Sequence, residues 1–561
     1  MGRSALAIGV FILALTSSNF SDAADWSERR KIPSGGVSNP FGLAESELPE
    51  GISAGRGHGL RYPVGPTGLL LPYEALKNFY ESNDENLLRR WLRKLMPWVA
   101  QFKSFDQMAK ALGLYHYPES EGDGAYYIPY PEREGKPSYR MGITLREIGS
   151  DTAFTVSCAG CHAEKLFGRP ILGLTTRFPR ANEFFVAGTK TLTQASSFMF
   201  RMATGATDGE IEMFERSKYR SQFIGSRKPQ VLGLDTSLAQ VALSVAHRNP
   251  DEYLTFSEEY ATNPRSEPLA EVPADSKPAV WWNVKYKNRY LSDGSVVSGN
   301  PVFTNFLWNE IGRGADLYEL ESWLGENEEI VEELTTAVFS AEAPKFTDFF
   351  PVEHFDLDRV QRGERIYVRR CSKCHGEYEK GYHQPGSESG SLEEQLTTVQ
   401  VHYLERTPVK NVGTDPLRWQ GMRSLLALNQ LAISSKHGTV IKAQKGYVPP
   451  PLVGIWARWP YMHNNSMPSL CAVLTRSEER PKAYWPGPAN DPGTDFDKEC
   501  NGYPLAENVP AHWKQRSEAF YDTARAGMSS IGHDENIFIK NGKEILSTQD
   551  KRDLILYMQT L

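Results

Sequence analysis

Cys158-Ala159-Gly160-Cys161-His162 and Cys371-Ser372-Lys373-Cys374-His375 are two copies of one pattern, Cys-x-x-Cys-His, in a chain of 561 residues that has only 6 cysteines. The pattern is the attachment signal for haem c. Two thiols at this spacing add across the vinyl groups of one porphyrin, and the adjacent histidine then lies under the ring and offers a nitrogen to the iron. A thioredoxin-like redox pair needs no histidine directly after its second cysteine. A four-cysteine zinc site would use both pairs but leave His162 and His375 unexplained. Cys158, Cys161, Cys371 and Cys374 are therefore expected to hold two covalently attached haem c groups, with His162 and His375 as proximal iron ligands. Each ring is expected to donate its second nitrogen to a backbone carbonyl, which fixes its orientation.

Outward from the motifs, the remaining cysteines and the first residues set the compartment. Ala5 to Leu15 is an apolar run, Arg3 precedes it, and Ser21-Asp22-Ala23 offers a small-residue cleavage site. This reads as a secretory signal peptide over residues 1–23, too short to span a bilayer, and it predicts a periplasmic or secreted chain with no membrane span after cleavage. In an oxidising compartment Cys471 and Cys500 are most simply a disulfide, with two free buried thiols as the alternative. Six cysteines in this length exclude a disulfide scaffold, and a formal net charge of −7 argues against a general nucleic-acid binder. Hydrophobic residues at 40% and charged residues at 23% are ordinary for a globular protein.

The spacing of the motifs fixes the expected organisation. Cys158 and Cys371 lie about twice as far apart as the length of a compact domain of about 100 residues. The fold class is therefore read as mainly α, two cytochrome c-like haem domains with large loop-rich insertions. The boundaries are a Gly- and Pro-rich irregular arm with a helical extension over 24–140, an N-terminal haem domain over 141–345 and a C-terminal haem domain over 350–561. Within the extension, 24–75 has little periodicity, Leu87, Leu88, Trp91, Leu92 and Leu95 continue a helical pattern, and 119–140 reads as a loop. Residues 193–215 are helical in pattern. Phe355-Asp356-Leu357-Asp358 reads as the cap of a helix leading into Cys371. Ser547 with Asp550 starts a final helix whose apolar face is Leu554, Ile555 and Met558.

The sixth ligand on each iron decides function. A haem with two protein ligands passes electrons, and one with an open side binds dioxygen or peroxide. His533, in the flexible stretch Gly527-Met528-Ser529-Ser530-Ile531-Gly532-His533 before the last helix, is the leading candidate. Met528 is its rival in the same stretch. His463, Met462 and Met467 are further candidates, and packing at a haem edge explains them equally well.

Pro449-Pro450-Pro451-Leu452-Val453-Gly454-Ile455-Trp456-Ala457, continuing through Pro460-Tyr461-Met462-His463-Asn464-Asn465-Ser466-Met467-Pro468-Ser469-Leu470, resembles the hallmark segment of the di-haem cytochrome c peroxidase and MauG-like superfamily. Within it the chain most resembles the rubber oxygenase-like di-haem cytochromes. Trp281-Trp282-Asn283-Val284-Lys285 with Ser292-Asp293-Gly294 resembles that branch's segment between the haems, and Ala526 to His533 resembles its ligand loop. The chain departs from the pattern at Asn465, where the family has Gly, and at Met528, where it has Asn. The resemblance implies His533 as sixth ligand of the C-terminal haem, an open N-terminal haem, and a bridging aromatic, Trp282 or its neighbour Trp281, that helps electrons pass. Core packing is the plain alternative for the Trp pair, and Phe303 and Phe306 are candidates for a distal pocket.

Two functions compete. One is an oxidoreductase of peroxidase or oxygenase type, acting with a small-molecule oxidant or an organic substrate and with a small redox protein or a quinol-linked donor or acceptor. The other is an electron-transfer cytochrome with both irons six-coordinate. A haem sensor is a third possibility. Calcium between the domains has no loop spacing to support it.

Overall fold

The computed structural model describes residues 24–62, 68–81, 101–131 and 135–561. The expected leader at 1–23 and the periodic stretch at 87–95 lie outside these residues. The described chain is built of helices, many of them short, joined by long loops, with one three-stranded sheet and five two-stranded ribbons.

Two different local structures deliver the two motifs. The second motif is delivered by a helix. The Asp356 side chain accepts from Arg359 N and starts the Leu357–Arg370 helix, which runs directly into the Ser372–His375 turn. This helix crosses the C-terminal helix Thr548–Gln559, opened by a reciprocal Ser547/Asp550 capping box. Between them Arg359 and Arg362 pair with the buried Asp553 at 2.8 and 3.0 Å, and the Tyr367 and Tyr557 rings stand 5.2 Å apart. Leu554, Ile555 and Met558 face inward, so the period read from the sequence is the buried face.

The first motif is delivered by a hairpin. Ile143–Ile148 pairs antiparallel with Asp151–Val156, and Leu71–Pro72 adds to the other edge of the second strand. Ile143 and Phe154 are buried, and exposure rises along the strand to Glu147 near the hairpin turn. The chain then makes the Ala159–His162 turn and returns as a ribbon of Ala163–Leu166 with Arg169–Leu172.

The arm at its start wraps the body: Glu28 N donates to Val297 O, Ile32 N to Glu405 O and Val37 N to Lys285 O. The expectation of an irregular chain to residue 75 needs correction, because Leu48–Arg61 is a helix of 14 residues. Its glycines hid it, since each lowers intrinsic helix propensity by about 1 kcal/mol. Packing overrides that here. The helix lies against Glu328–Ser340 so closely that a Cβ at Gly55 would sit 1.9 Å from Glu333 O. His58 Nε2 meets Glu333 Oε2 at 2.6 Å across the same contact. The stretch 193–215 is helical but divided, with Ser196 and Thr207 capping Ser197–Thr204 and Asp208–Ser221 in turn.

One apolar core runs from Leu60 to Leu561 and takes in residues around both motifs. Val296–Ser298 pairs with Val440–Ile441, which stitches the middle of the chain to its C-terminal part. No helix among the described residues is long and apolar enough to cross a membrane.

Candidate functional site

Cys158, Cys161, Cys371, Cys374, His162, His375 and His533 all line one cavity of about 1100 Å³. That exceeds the 300–1,000 Å³ of an ordinary small-molecule pocket. Cys471 and Cys500 form the disulfide, and none of the four motif cysteines is bonded to another cysteine. Burial pushes Cys158, Cys161 and Cys371 up to about 12.

His375 is held on its backbone side by the Pro449–Leu452 stretch. Its Nδ1 lies 2.7 Å from Pro450 O, an arrangement in which the ring nitrogen donates to the carbonyl. Tyr378 OH donates to His375 O at 3.0 Å and accepts from Leu452 N at 2.5 Å. Tyr403 OH donates to Pro449 O at 2.5 Å. Three prolines in succession cannot donate to a sheet, so their carbonyls are free to take these donors.

His533 arrives from the other side of the cavity. Its φ is +56°, and its N donates to Val412 O at 2.9 Å. The preceding Gly532 has φ +75°, and a Cβ there would meet Gly413 C at 2.4 Å, so only glycine fits this approach. The buried Arg480 braces the turn: its guanidinium donates to Gly532 O at 2.7 Å and to Thr475 O at 2.8 Å, tying the His533 loop to the segment that carries Cys471. The His375 and His533 rings stand 6.2 Å apart, centroid to centroid. Two imidazole nitrogens, each about 2 Å from one metal centre, place their ring centroids about 6 Å apart. Desolvation, with His375 and Arg480 adding to it, pushes His533 down to about 3, and burial likewise lowers His375. Both are then neutral at physiological pH, the form that binds metal.

His162 has a different setting. Burial pushes it down to about 4. The Ala279 carbonyl acts on its ring, yet Nδ1 has no hydrogen bond of normal geometry. The backbone acceptor expected for both proximal rings is made with normal geometry at His375; at His162 the Ala279 carbonyl, in the stretch Ser276–Trp281, takes the corresponding place in a looser contact. The ring 6.1 Å from His162 is the indole of Trp281, which has no lone pair for a metal.

The other candidates separate cleanly. Trp281 lines the cavity, whereas Trp282 does not: it is fully buried, its Nε1 donates to Val453 O at 2.9 Å, and its ring lies against Gly454. Phe306 lines the cavity, while Phe303, placed with it as a pocket candidate, stacks on His437 at 4.1 Å instead. Met528 and Met467 are fully buried and off the cavity wall; Met462 and His463 are on it. His463 stacks on Tyr447 at 3.9 Å, burial pushes it down to about 3, and its Nε2 has no partner. Asn465 has φ +61° and donates from Nδ2 to Gly233 O at 3.1 Å, so asparagine tolerates a conformation that favours glycine. Among the described residues no three His, Cys, Asp or Glu side chains converge to hold a metal ion.

Reading the sequence missed a set of cations on the same wall, the buried Arg418 and the half-buried Lys277, Lys287 and Arg458. Burial pushes Lys287 down to about 7 and Arg458 to about 10, and Arg458 lowers Lys287 further. Lys277 donates to Arg458 O at 2.6 Å, and no carboxylate acts on any of these three. Arg418 has one unpartnered guanidinium nitrogen, 3.7 Å from Asp293. Buried cations without counter-charge are costly. They fit a porphyrin, which brings its own carboxylates into the cavity. The usable signal was positive charge inside otherwise apolar segments, at Lys285-Tyr286-Lys287 and Ala457-Arg458-Trp459.

Comparison with known proteins agrees with this chemistry at one end of the chain. Residues 446–485 match the family described as RoxA-like, cytochrome c-like. That segment holds Pro450, Arg458, His463 and Cys471. Two proteins of Sinorhizobium fredii (strain NBRC 101917 / NGR234) are similar in part. "Uncharacterized protein y4iJ" is 27% identical over 253 residues, covering 37% of this chain and 39% of that protein. "Uncharacterized protein y4iM" is 25% identical over 232 residues, covering 37% of this chain and 50% of that protein. The chain thus spans half or less of the length of these relatives. Near its C-terminus it carries a RoxA-like, cytochrome c-like region, whose chemistry is haem-binding electron transfer.

Proposed function

We propose that this chain is an exported di-haem c-type cytochrome acting as an oxidoreductase. In this reading Cys158, Cys161 and His162 hold the reactive haem. Cys371, Cys374, His375 and His533 hold a second haem that relays electrons. When bound, haem supplies one-electron redox chemistry and, at an iron with an open side, a site for dioxygen or peroxide.

The observation that carries this reading is the asymmetry of the two histidines. His375 has a second imidazole 6.2 Å away, whereas the aromatic neighbour of His162 is the Trp281 indole beside it. A closed pair of imidazoles suits electron passage with little rearrangement. At the other end Phe185, Leu238, Val241, Phe306 and Trp308 form an apolar wall that keeps bulk water from His162 and suits an organic substrate or a small oxidant. Lys287 and Arg458, on the wall shared by the two motifs, would hold the carboxylates of a porphyrin. Trp281, on the wall beside His162, is the aromatic best placed to pass an electron, ahead of Trp282.

The test is the optical and EPR spectrum of the purified protein. This reading expects one low-spin and one high-spin haem, with carbon monoxide binding to the reduced high-spin centre. Two low-spin haems that both refuse carbon monoxide would instead support a pure electron-transfer cytochrome. One feature favours that second reading: the unpartnered Nε2 of His463 on the same wall.

A further inference from the structure

We propose that the surface around Cys371 and Cys374 is the docking face for an acidic one-electron redox protein. This rests on the electron-transfer reading above and adds the place of entry and the charge of the partner.

Arg365, Arg369 and Arg370, in the last turns of the Leu357–Arg370 helix, and Lys373, inside the motif, are all exposed. Among the described residues none of the four is ion-paired to a carboxylate. The contrast lies within one helix, because Arg359 and Arg362, nearer its start, are both taken up by Asp553. The nearby Glu364 is engaged by His383 at 3.2 Å, and Glu377 follows the motif. Four exposed cations therefore face solvent on a chain whose formal net charge is −7. The dipole of the helix C-terminus accounts for Arg369 and Arg370 but not for Arg365, a turn earlier, or Lys373, beyond the helix end.

Two further observations give this charge a purpose. Val368, in the same turn, is 45% exposed, so the collar borders an apolar spot. Arg370 and Lys373 line the rim of the cavity together with Cys371 and Cys374, so the collar marks a short path from solvent to the C-terminal motif. Transient redox interfaces are small, and their charged rims act mainly on association rate. A positive collar steers a partner that bears carboxylates around its own redox centre, and it leaves an uncharged quinol unaffected. On docking, the reduced partner would lose one electron and depart oxidised, and the haem that Cys371 and Cys374 would attach and His375 would ligate would take up that electron.

The experiment uses the full holo-protein and reduced soluble cytochrome b5, an acidic carrier, in stopped flow. At low salt the bimolecular rate is expected to fall about tenfold in R365E/R369E, and the wild-type rate to fall about tenfold as salt rises from 0.01 M to 0.2 M. The neutral variant R365Q/R369Q should lie between. Reversal at exposed sites elsewhere, R423E/K514E, should leave the rate unchanged. Reduction by uncharged hydroquinone should be the same in wild type and R365E/R369E, which separates docking from any change in driving force. Equal cytochrome b5 rates for wild type and R365E/R369E, or no salt dependence, would overturn the docking face while leaving the electron-transfer reading intact. Failure of dithionite to yield ferrous C-terminal haem would sink that reading itself.

Discussion

The two Cys-x-x-Cys-His motifs each form a four-residue helical turn, but the turns have very different surroundings. The C-terminal turn grows out of a long helix, has its histidine tied to Pro450 O at 2.7 Å, and faces a second imidazole. The N-terminal turn follows a hairpin, leaves His162 Nδ1 without a hydrogen bond of normal geometry, and has an indole beside its histidine. Five residues thus choose the cofactor, but the groups that choose its task come from elsewhere in the chain. Pro450, Tyr378, His533 and Arg480 support one histidine; Ala279, Trp281 and Phe306 surround the other.

The largest test removes the anchors one motif at a time. C158S/C161S and C371S/C374S should each lower the haem content of the exported protein from two to one per chain, read by pyridine haemochrome and haem-stained denaturing gels. Loss at 371/374 should remove the low-spin signal, and loss at 158/161 should remove carbon monoxide binding. Unchanged haem content in both variants would end the reading of the pentapeptides. Next in size is His533→Ala. It should convert the C-terminal low-spin signal to high-spin and create a second carbon monoxide site, while Trp281→Phe should leave both spin states alone. An unchanged low-spin signal in His533→Ala would return the sixth position to another residue.

What could be read directly was local. The motifs, the Asp356 cap and the Ser547/Asp550 box are each set within a few residues, so their chemistry is on display in the sequence. The rest depends on which groups meet across long separations. Phe303 and Phe306 sit one turn apart on the same helix, and period alone does not say that only Phe306 reaches the cavity. Trp281 and Trp282 are adjacent, yet a 3₁₀ turn points them to different neighbours. The Leu48–Arg61 helix was hidden by glycines that its packing demands. The cations Lys287 and Arg458 lie far apart in sequence and become informative only when the fold buries them without a carboxylate.

The disulfide gives a test of intermediate size, and its effect should be one-sided. Cys471 and Cys500 are 29 residues apart, and Arg480, between them, carries the braces to the His533 turn. Closing a loop of that length restricts the unfolded chain by about 3.5 kcal/mol. C471S/C500S should lower the urea midpoint by a corresponding amount, and the low-spin signal should be lost before the high-spin one. Simultaneous loss of both signals would show that the braces do not act locally.

The smallest and most specific effect is expected at Tyr378. Its hydroxyl joins His375 O to Leu452 N, so one atom connects the proximal turn to the loop that orients the ring. Tyr378→Phe keeps the ring and its packing but leaves the Leu452 N–H buried without an acceptor. Such a loss costs about 1–3 kcal/mol. Some of that cost should appear as looser positioning of Pro450 O, and hence a weaker hold on His375 Nδ1. The expected outcome is a modest fall in stability with a shift in the midpoint potential of the C-terminal haem alone, since no tyrosine plays this part at His162. Equal shifts at both haems would mean that the two motifs share their support through the common cavity wall, and the contrast between them would then rest on the ring nearest each histidine rather than on the backbone behind it.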